Sequence, residues 1–139
     1  MPILPVSQLV AEATARIRTL GLDEARAALG QPGMLFVDLR DVRELEREGV
    51  IPGAVHAPRG MLEFWVDPAS PYFRAEFAGA DGGDKTMVLF CAGAWRSALA
   101  ARQLQEMGFP KVCHLEGGFN AWKAAGAPVA DKPRRATPP

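Results

Sequence analysis

A single thiol stands five positions ahead of a guanidinium in Cys91-Ala92-Gly93-Ala94-Trp95-Arg96. The thiolate, not the thiol, is the nucleophile, and a free cysteine with a pKa of about 8.5 is only about 3% ionised at neutral pH. About 2.7 kcal/mol of preferential stabilisation of the anion, worth about two pKa units, makes such a thiol mostly ionised. The backbone N–H groups of a short loop entering a helix form an anion-binding concavity that the helix dipole reinforces. These residue types at this spacing therefore predict a nucleophile at Cys91. Ala92, Gly93, Ala94, Trp95 and Arg96 would hold an anion beside it. The alternative is a buried packing cysteine, since free cysteine is among the most buried residue types.

Two flanking elements must position that loop. Met87-Val88-Leu89-Phe90 is a short, uninterrupted apolar run, the pattern of a buried strand. Ser97-Ala98-Leu99-Ala100-Ala101-Arg102 is rich in helix formers, with Ser97 placed to act as N-cap. Cys91 then falls at a strand's carboxyl end, where open α/β sheets bind their ligands. Met34-Leu35-Phe36-Val37 is a second continuous run, and strands apolar on both faces argue for a parallel sheet. Asp38 and Arg40 emerge at its carboxyl end. Val112-Cys113-His114-Leu115 reads as a further strand, with Cys113 as a packing residue; the Glu116-Gly117-Gly118 turn leads into a helix over 119–125. The spacing of Leu9, Val10, Ala13, Ile17 and Leu20 predicts an amphipathic helix over 5–20, with Ser7 as N-cap. Residues 42–48 read as a short charged helix in which Glu44, Glu48, Arg43 and Arg47 form a solvated face rather than a site. Residues 61–66 and 72–77 carry aromatics that cover a sheet face or wall the mouth of a site, where Arg59 would add positive charge. Residues 78–85 read as a flexible surface loop. Alternation of strands and helices predicts an α/β sandwich with a mostly parallel sheet.

Three stretches of the chain resemble single-domain rhodaneses. The loop at 91–96 is similar to that family's active-site loop: a cysteine, four residues, an arginine, then a small residue opening a helix. VDLRDVRELEREGVIPGAVHAPRG at 37–60 and VCHLEGGFNAWKAAGAPV at 112–129 match in the same order, so the resemblance spans roughly residues 20–129. The family loop commonly carries its glycine three residues after the cysteine; here Ala94 holds that position and the glycine is Gly93. The resemblance implies a rhodanese-like three-layer sandwich, with a five-stranded mostly parallel sheet and helices on both faces. It places the domain at 20–130 and leaves the first helix outside it as an N-terminal extension at 1–19; residues 131–139, proline-rich and without an apolar anchor, read as a disordered tail. The implied reaction is sulfur transfer. Cys91 takes the outer sulfur of thiosulfate or a similar small anionic donor, carries it as a persulfide, and passes it to a thiol or cyanide. By the same analogy Asp38 and Arg40 support the loop, His56 is structural, and no cofactor takes part. The alternatives are a persulfide carrier fed by a protein partner, for which an exposed Trp95 would mark the docking surface, and a non-catalytic interaction module.

Composition narrows the field further. The 139 residues suit one domain with a substantial core. Lys+Arg and Asp+Glu are both 16, and a balanced charge argues against nucleic acid or a membrane surface as partner. The 2 cysteines and 2 histidines show neither disulfide nor metal-ligand spacing, so no metal is expected, and His56 and His114 are read as structural rather than as bases. With no membrane-length apolar run and no secretory signal, a reduced cytoplasmic setting is expected. Cysteine-dependent phosphatases need five residues between cysteine and arginine to enclose a tetrahedral oxyanion; here five intervening residues would put Ser97, not an arginine, at the end. The shorter loop suits a single sulfur atom.

Overall fold

The computed structural model describes residues 2–133. Its centre is one sheet of five strands: β1 (Arg18–Leu20), β2 (Met34–Asp38), β3 (Val55–His56), β4 (Thr86–Phe90) and β5 (Val112–Leu115). They lie in the order β1-β5-β4-β2-β3 and every pair is parallel. β4 is the middle strand, with Val37 opposite Leu89 on one side and Leu89 opposite His114 on the other. Successive side chains of a strand point to opposite faces, so a continuous apolar run feeds two cores at once. Met87 and Leu89 join one cluster; Val88 and Phe90 join the other.

Helices close both faces. The first cluster lies under α4 (Leu62–Val66) and α5 (Trp95–Met107). The second lies under α2 (Leu22–Ala28) and α6 (Gly118–Ala124), where Trp122 and Phe119 are fully buried. The short α3 (Val42–Glu48) follows β2 and is closed at its start by a capping box: the Asp41 carboxylate accepts the Arg43 N–H, and Glu44 accepts that of Asp41. The α/β architecture, the five parallel strands and the helices on both faces agree with the sequence reading.

Three local expectations are corrected. α1 (Val6–Arg16) starts behind Pro5 with no side-chain cap, so Ser7 does not serve as one. The helix also stops at Arg16 instead of reaching residue 20. Arg18–Leu20 pairs with Cys113–Leu115 as β1, because an open sheet edge satisfies its backbone where the apolar spacing alone suggested more helix. Residues 78–85 do form a turn-rich surface segment, but Ala80 within it is buried completely against the first cluster, which ties the segment down. At the other end Ala130 exchanges both backbone hydrogen bonds with Val50. The tail expected at 131–139 lies, from residue 134 onward, outside the described residues.

Candidate active site

The chain leaves β4 at Phe90, passes Cys91-Ala92-Gly93, and enters α5 through Ala94. Ala94 adopts φ 72 and ψ 4, the one left-handed non-glycine residue among those described. That turn starts the helix at Trp95, so Ser97 is not the N-cap the sequence suggested; it sits fully buried inside the first turn. There its backbone N–H donates to Cys91 Sγ at 3.4 Å, and the Cys91 thiol lies 3.7 Å from Ser97 Oγ as donor. The first N–H groups of a helix have no carbonyl four residues back, and here one of them is spent on sulfur.

The loop's carbonyls are turned the other way. Cys91 O accepts the Phe119 N–H at 2.8 Å, and Ala92 O accepts that of Asn120 at 3.1 Å. In a trans peptide the N–H opposes the C=O, so the N–H groups of Ala92 and Gly93 face away from α6. Gly118 makes this docking possible. It has φ +66, and a Cβ there would stand 2.6 Å from Cys91 O and 2.7 Å from Ala92 O.

Cys91 is 1% exposed, at the floor of the loop and in contact with the first core cluster. Trp95 is half exposed, as expected, and Arg96 stands beside it at the loop's end. Arg96 is not a free cation. Nη1 and Nη2 donate to the two Glu44 carboxylate oxygens at 2.8 and 2.9 Å. These bonds hold the Glu44 carboxyl down at about 2 and raise Arg96, to which the Cys91 sulfur adds a smaller push. Glu44, read as part of a solvated face, is therefore a partner of the loop across 52 positions of sequence.

The remaining expected residues are placed as follows. Asp38 and Arg40 form a buried ion pair at 2.7 Å, and the guanidinium lies 3.9 Å over the Phe119 ring. Since Phe119 donates to Cys91 O, the pair adjoins the loop through α6. His56 Nε2 donates to the Arg40 carbonyl oxygen at 2.6 Å, which leaves the imidazole spent on backbone rather than on the thiol. Arg59 is placed elsewhere: it pairs with Glu63 at 2.7 Å and lines a groove of about 580 Å³ between α1 and α5. Cys113 is buried on the opposite sheet face, and burial pushes its thiol up to about 11. His114, by contrast, points toward α5. Its Nδ1 lies 2.9 Å from Ser97 Oγ, and its Nε2 lies 3.1 Å from Thr19 Oγ1. Burial alone pulls its pKa down. Among the described residues no group of three or more His, Cys, Asp or Glu side chains is placed to hold a metal, and no helix is long and apolar enough to cross a membrane.

The rhodanese-like domain family matches residues 21–125, more than half of the chain. This chain belongs to the rhodanese-like domain family. A Rhodopseudomonas palustris protein of unknown function, described as a possible tyrosine phosphatase, superposes with a TM-score of 0.84 at 45% identity, covering 94% of this chain and 99% of that one. The polysulfide-sulfur transferase homodimer of Wolinella succinogenes gives 0.67 at 30% identity, covering 91% and 87%. A tRNA uridine(34) hydroxylase of Escherichia coli is 32% identical over 96 residues, covering 69% of this chain and 25% of the relative. The chain spans about half or less of the length of the curated relatives it matches.

Proposed function

We propose that this rhodanese-like chain is a sulfurtransferase in which Cys91 carries the travelling sulfur. One observation supports this reading above the others: a cysteine sulfur at the start of α5 receives a backbone N–H, inside a loop whose carbonyls are tied away to α6. In the first half-reaction the Cys91 thiolate attacks the outer sulfur of thiosulfate. The S–S bond to the sulfonate breaks, sulfite leaves with the electron pair, and a Cys91 persulfide anion remains. In the second, cyanide or a thiolate takes the outer sulfur and the Cys91 thiolate returns. The scheme is ping-pong, with a covalent intermediate.

In this reading the N–H groups of Ala92 and Gly93, turned away from α6, would join those of Ala94, Trp95 and Arg96 around the second sulfur, since fixed dipoles aimed at a developing anion are the usual source of such stabilisation. Arg96 keeps N–H groups beyond those given to Glu44, enough to meet the donor's sulfonate oxygens. Asp38 and Arg40 hold the loop's geometry through Phe119. The named activity of the Wolinella neighbour, polysulfide-sulfur transfer, is in keeping with this chemistry. A second reading comes from the Rhodopseudomonas neighbour, described as a possible tyrosine phosphatase. Four residues between Cys91 and Arg96 make a ring too small for a tetrahedral phosphate, which argues for the single sulfur atom. Thiosulfate, the cytoplasm as setting, and a small-molecule rather than protein donor are part of the proposal.

The test is intact-protein mass spectrometry with thiosulfate and then cyanide. We expect a gain of one sulfur, its loss to cyanide, and neither in Cys91→Ser. Faster turnover of p-nitrophenyl phosphate than of thiosulfate would overturn the reading in favour of a phosphatase.

A further inference from the structure

Cys91 has a proton to lose and, at 1% exposure, little water beside it to take that proton. What it has instead is a file of hydrogen-bonding groups: its thiol lies 3.7 Å from Ser97 Oγ, Ser97 Oγ lies 2.9 Å from His114 Nδ1, and His114 Nε2 lies 3.1 Å from Thr19 Oγ1. Ser97 and His114 are buried; Thr19 is exposed on β1, at the edge of the sheet. Each joint of the file comes from a different element, α5, β5 and β1, and each link lies at donor–acceptor distance. We propose that Ser97 and His114 form a proton relay that carries the Cys91 proton to the sheet edge and then turns the Ser97 hydroxyl onto the sulfur anion.

The relay rests on Cys91 being the nucleophile proposed above, and its proton balance is complete. The thiol gives its proton to Ser97 Oγ, the hydroxyl proton passes to His114 Nδ1, and the Nε2 proton leaves by Thr19 to solvent. His114 ends neutral, in the opposite tautomer. Its Nδ1–H now donates to Ser97 Oγ, which leaves the hydroxyl proton free to point at sulfur. The anion then has two donors from one residue, the Ser97 N–H and the Ser97 O–H. Burial disfavours a charged imidazole, so a proton taken on one nitrogen is given up from the other. Neighbouring charges do not interfere. Cys113 on the same strand faces the opposite side with Arg18 and Glu24 acting on it, Leu89 lies alongside from β4, and Arg96 is held by Glu44. In these roles Ser97 touches the reacting sulfur, and His114 is a positioning residue that acts through it.

Ultraviolet absorbance of the thiolate tests the relay without any need for a reagent to reach the sulfur: its rate of appearance after a jump in pH reads the proton path, and its amount against pH reads the Ser97 hydroxyl's bond to the anion. Cys113, held up at about 11, titrates far from the neutral range. We expect Ser97→Ala to have an about tenfold lower thiolate-to-thiol ratio at neutral pH, the loss of one hydrogen bond to an anion. Ser97→Thr, which keeps the hydroxyl, restores the wild-type curve. His114→Phe, which keeps a ring and removes both nitrogens, lowers the thiolate about threefold. Thiolate appears more slowly after the pH jump in both Ser97→Ala and His114→Phe; rates and curves that superimpose on the wild type overturn the relay. If Ser97→Ala does not fold, His114→Phe decides by the same two outcomes. Thiosulfate loading of the wild type is read separately by mass. Displaced curves without a persulfide uphold the relay and overturn sulfur transfer.

Discussion

Arg96 reaches the loop with its charge already shared, because both terminal nitrogens donate to Glu44. The sign of the pH effect follows from the depressed carboxyl. An acid held at about 2 against an ordinary 4.5 stabilises the fold in full above the unfolded value; that contribution falls away as pH drops from about 4.5 and is gone below about 2. Glu44→Gln should therefore flatten acid destabilisation in this window. Unfolding free energies from denaturant titrations at about pH 6 and about pH 3 should differ by about 1–2 kcal/mol less in the variant, the full displacement being discounted because Arg96 is 39% exposed and screened. The same substitution frees the guanidinium and should lower KM for thiosulfate, while an unchanged KM would mean that Arg96 does not meet the donor. Ala94 carries a different strain. An L-residue at φ 72 is disfavoured relative to glycine, so Ala94→Gly should raise stability by about 0.5–1 kcal/mol, measured by chemical denaturation.

The docking of α6 on the loop depends on a missing side chain. Gly118→Ala would set a Cβ into two backbone carbonyls at a left-handed position, with no flexible atom to give way. We expect a loss of about 2 kcal/mol or more and a fall of tenfold or more in sulfur loading, since a displacement near 1 Å at the reacting atom has large effects. Gly93→Ala is the contrast: open space surrounds that Cβ, and a change within about 0.5 kcal/mol is expected. The glycine that matters to the loop thus stands 27 positions beyond Cys91 in sequence, outside the loop itself. This is also where sequence reading stopped. Continuous runs such as Met87–Phe90 name the strands because burial on both faces leaves no polar positions to mislead. Val42–Glu48 was legible as a helix from charge and breakers alone. Ser97 was misplaced because the left-handed turn at Ala94, a conformation rare for alanine, starts the helix earlier. Glu44, His114 and Thr19 were read as solvated, structural or unremarked. Their partners are set by parallel pairing of β1 with β5 and by the packing of α3 against the loop, contacts that no local pattern encodes.

The sheet order explains why the candidate site lies where it does. From β4 the chain crosses to β5 on one side, while β2 and β3 were laid down on the other, so the connections diverge at the carboxyl end of the middle strand. That divergence opens the crevice in which α/β sheets place their ligands, and Cys91 is the first residue past it. The whole assembly sits between two cores, and α1 adds a third, smaller one against α5: Val10 and Ala13 cover Ala98, with Ile17 and Leu99 at its margin. Ala98 follows Ser97 directly, so α1 braces the outer side of the turn whose inner side holds the sulfur. Removal of residues 1–16 leaves β1 and the sheet intact but strips that cover. From the apolar area that Val10 and Ala13 bury, with Ala98 uncovered beneath them, the loss should be about 2–4 kcal/mol. The shortened chain should remain folded, expose a strip of α5 along Ala98 and Leu99, and self-associate at a lower concentration than the full chain in sedimentation. If α1 is only a brace, sulfur loading of the folded fraction persists. Loss of loading with circular dichroism unchanged would instead make α1 part of the site.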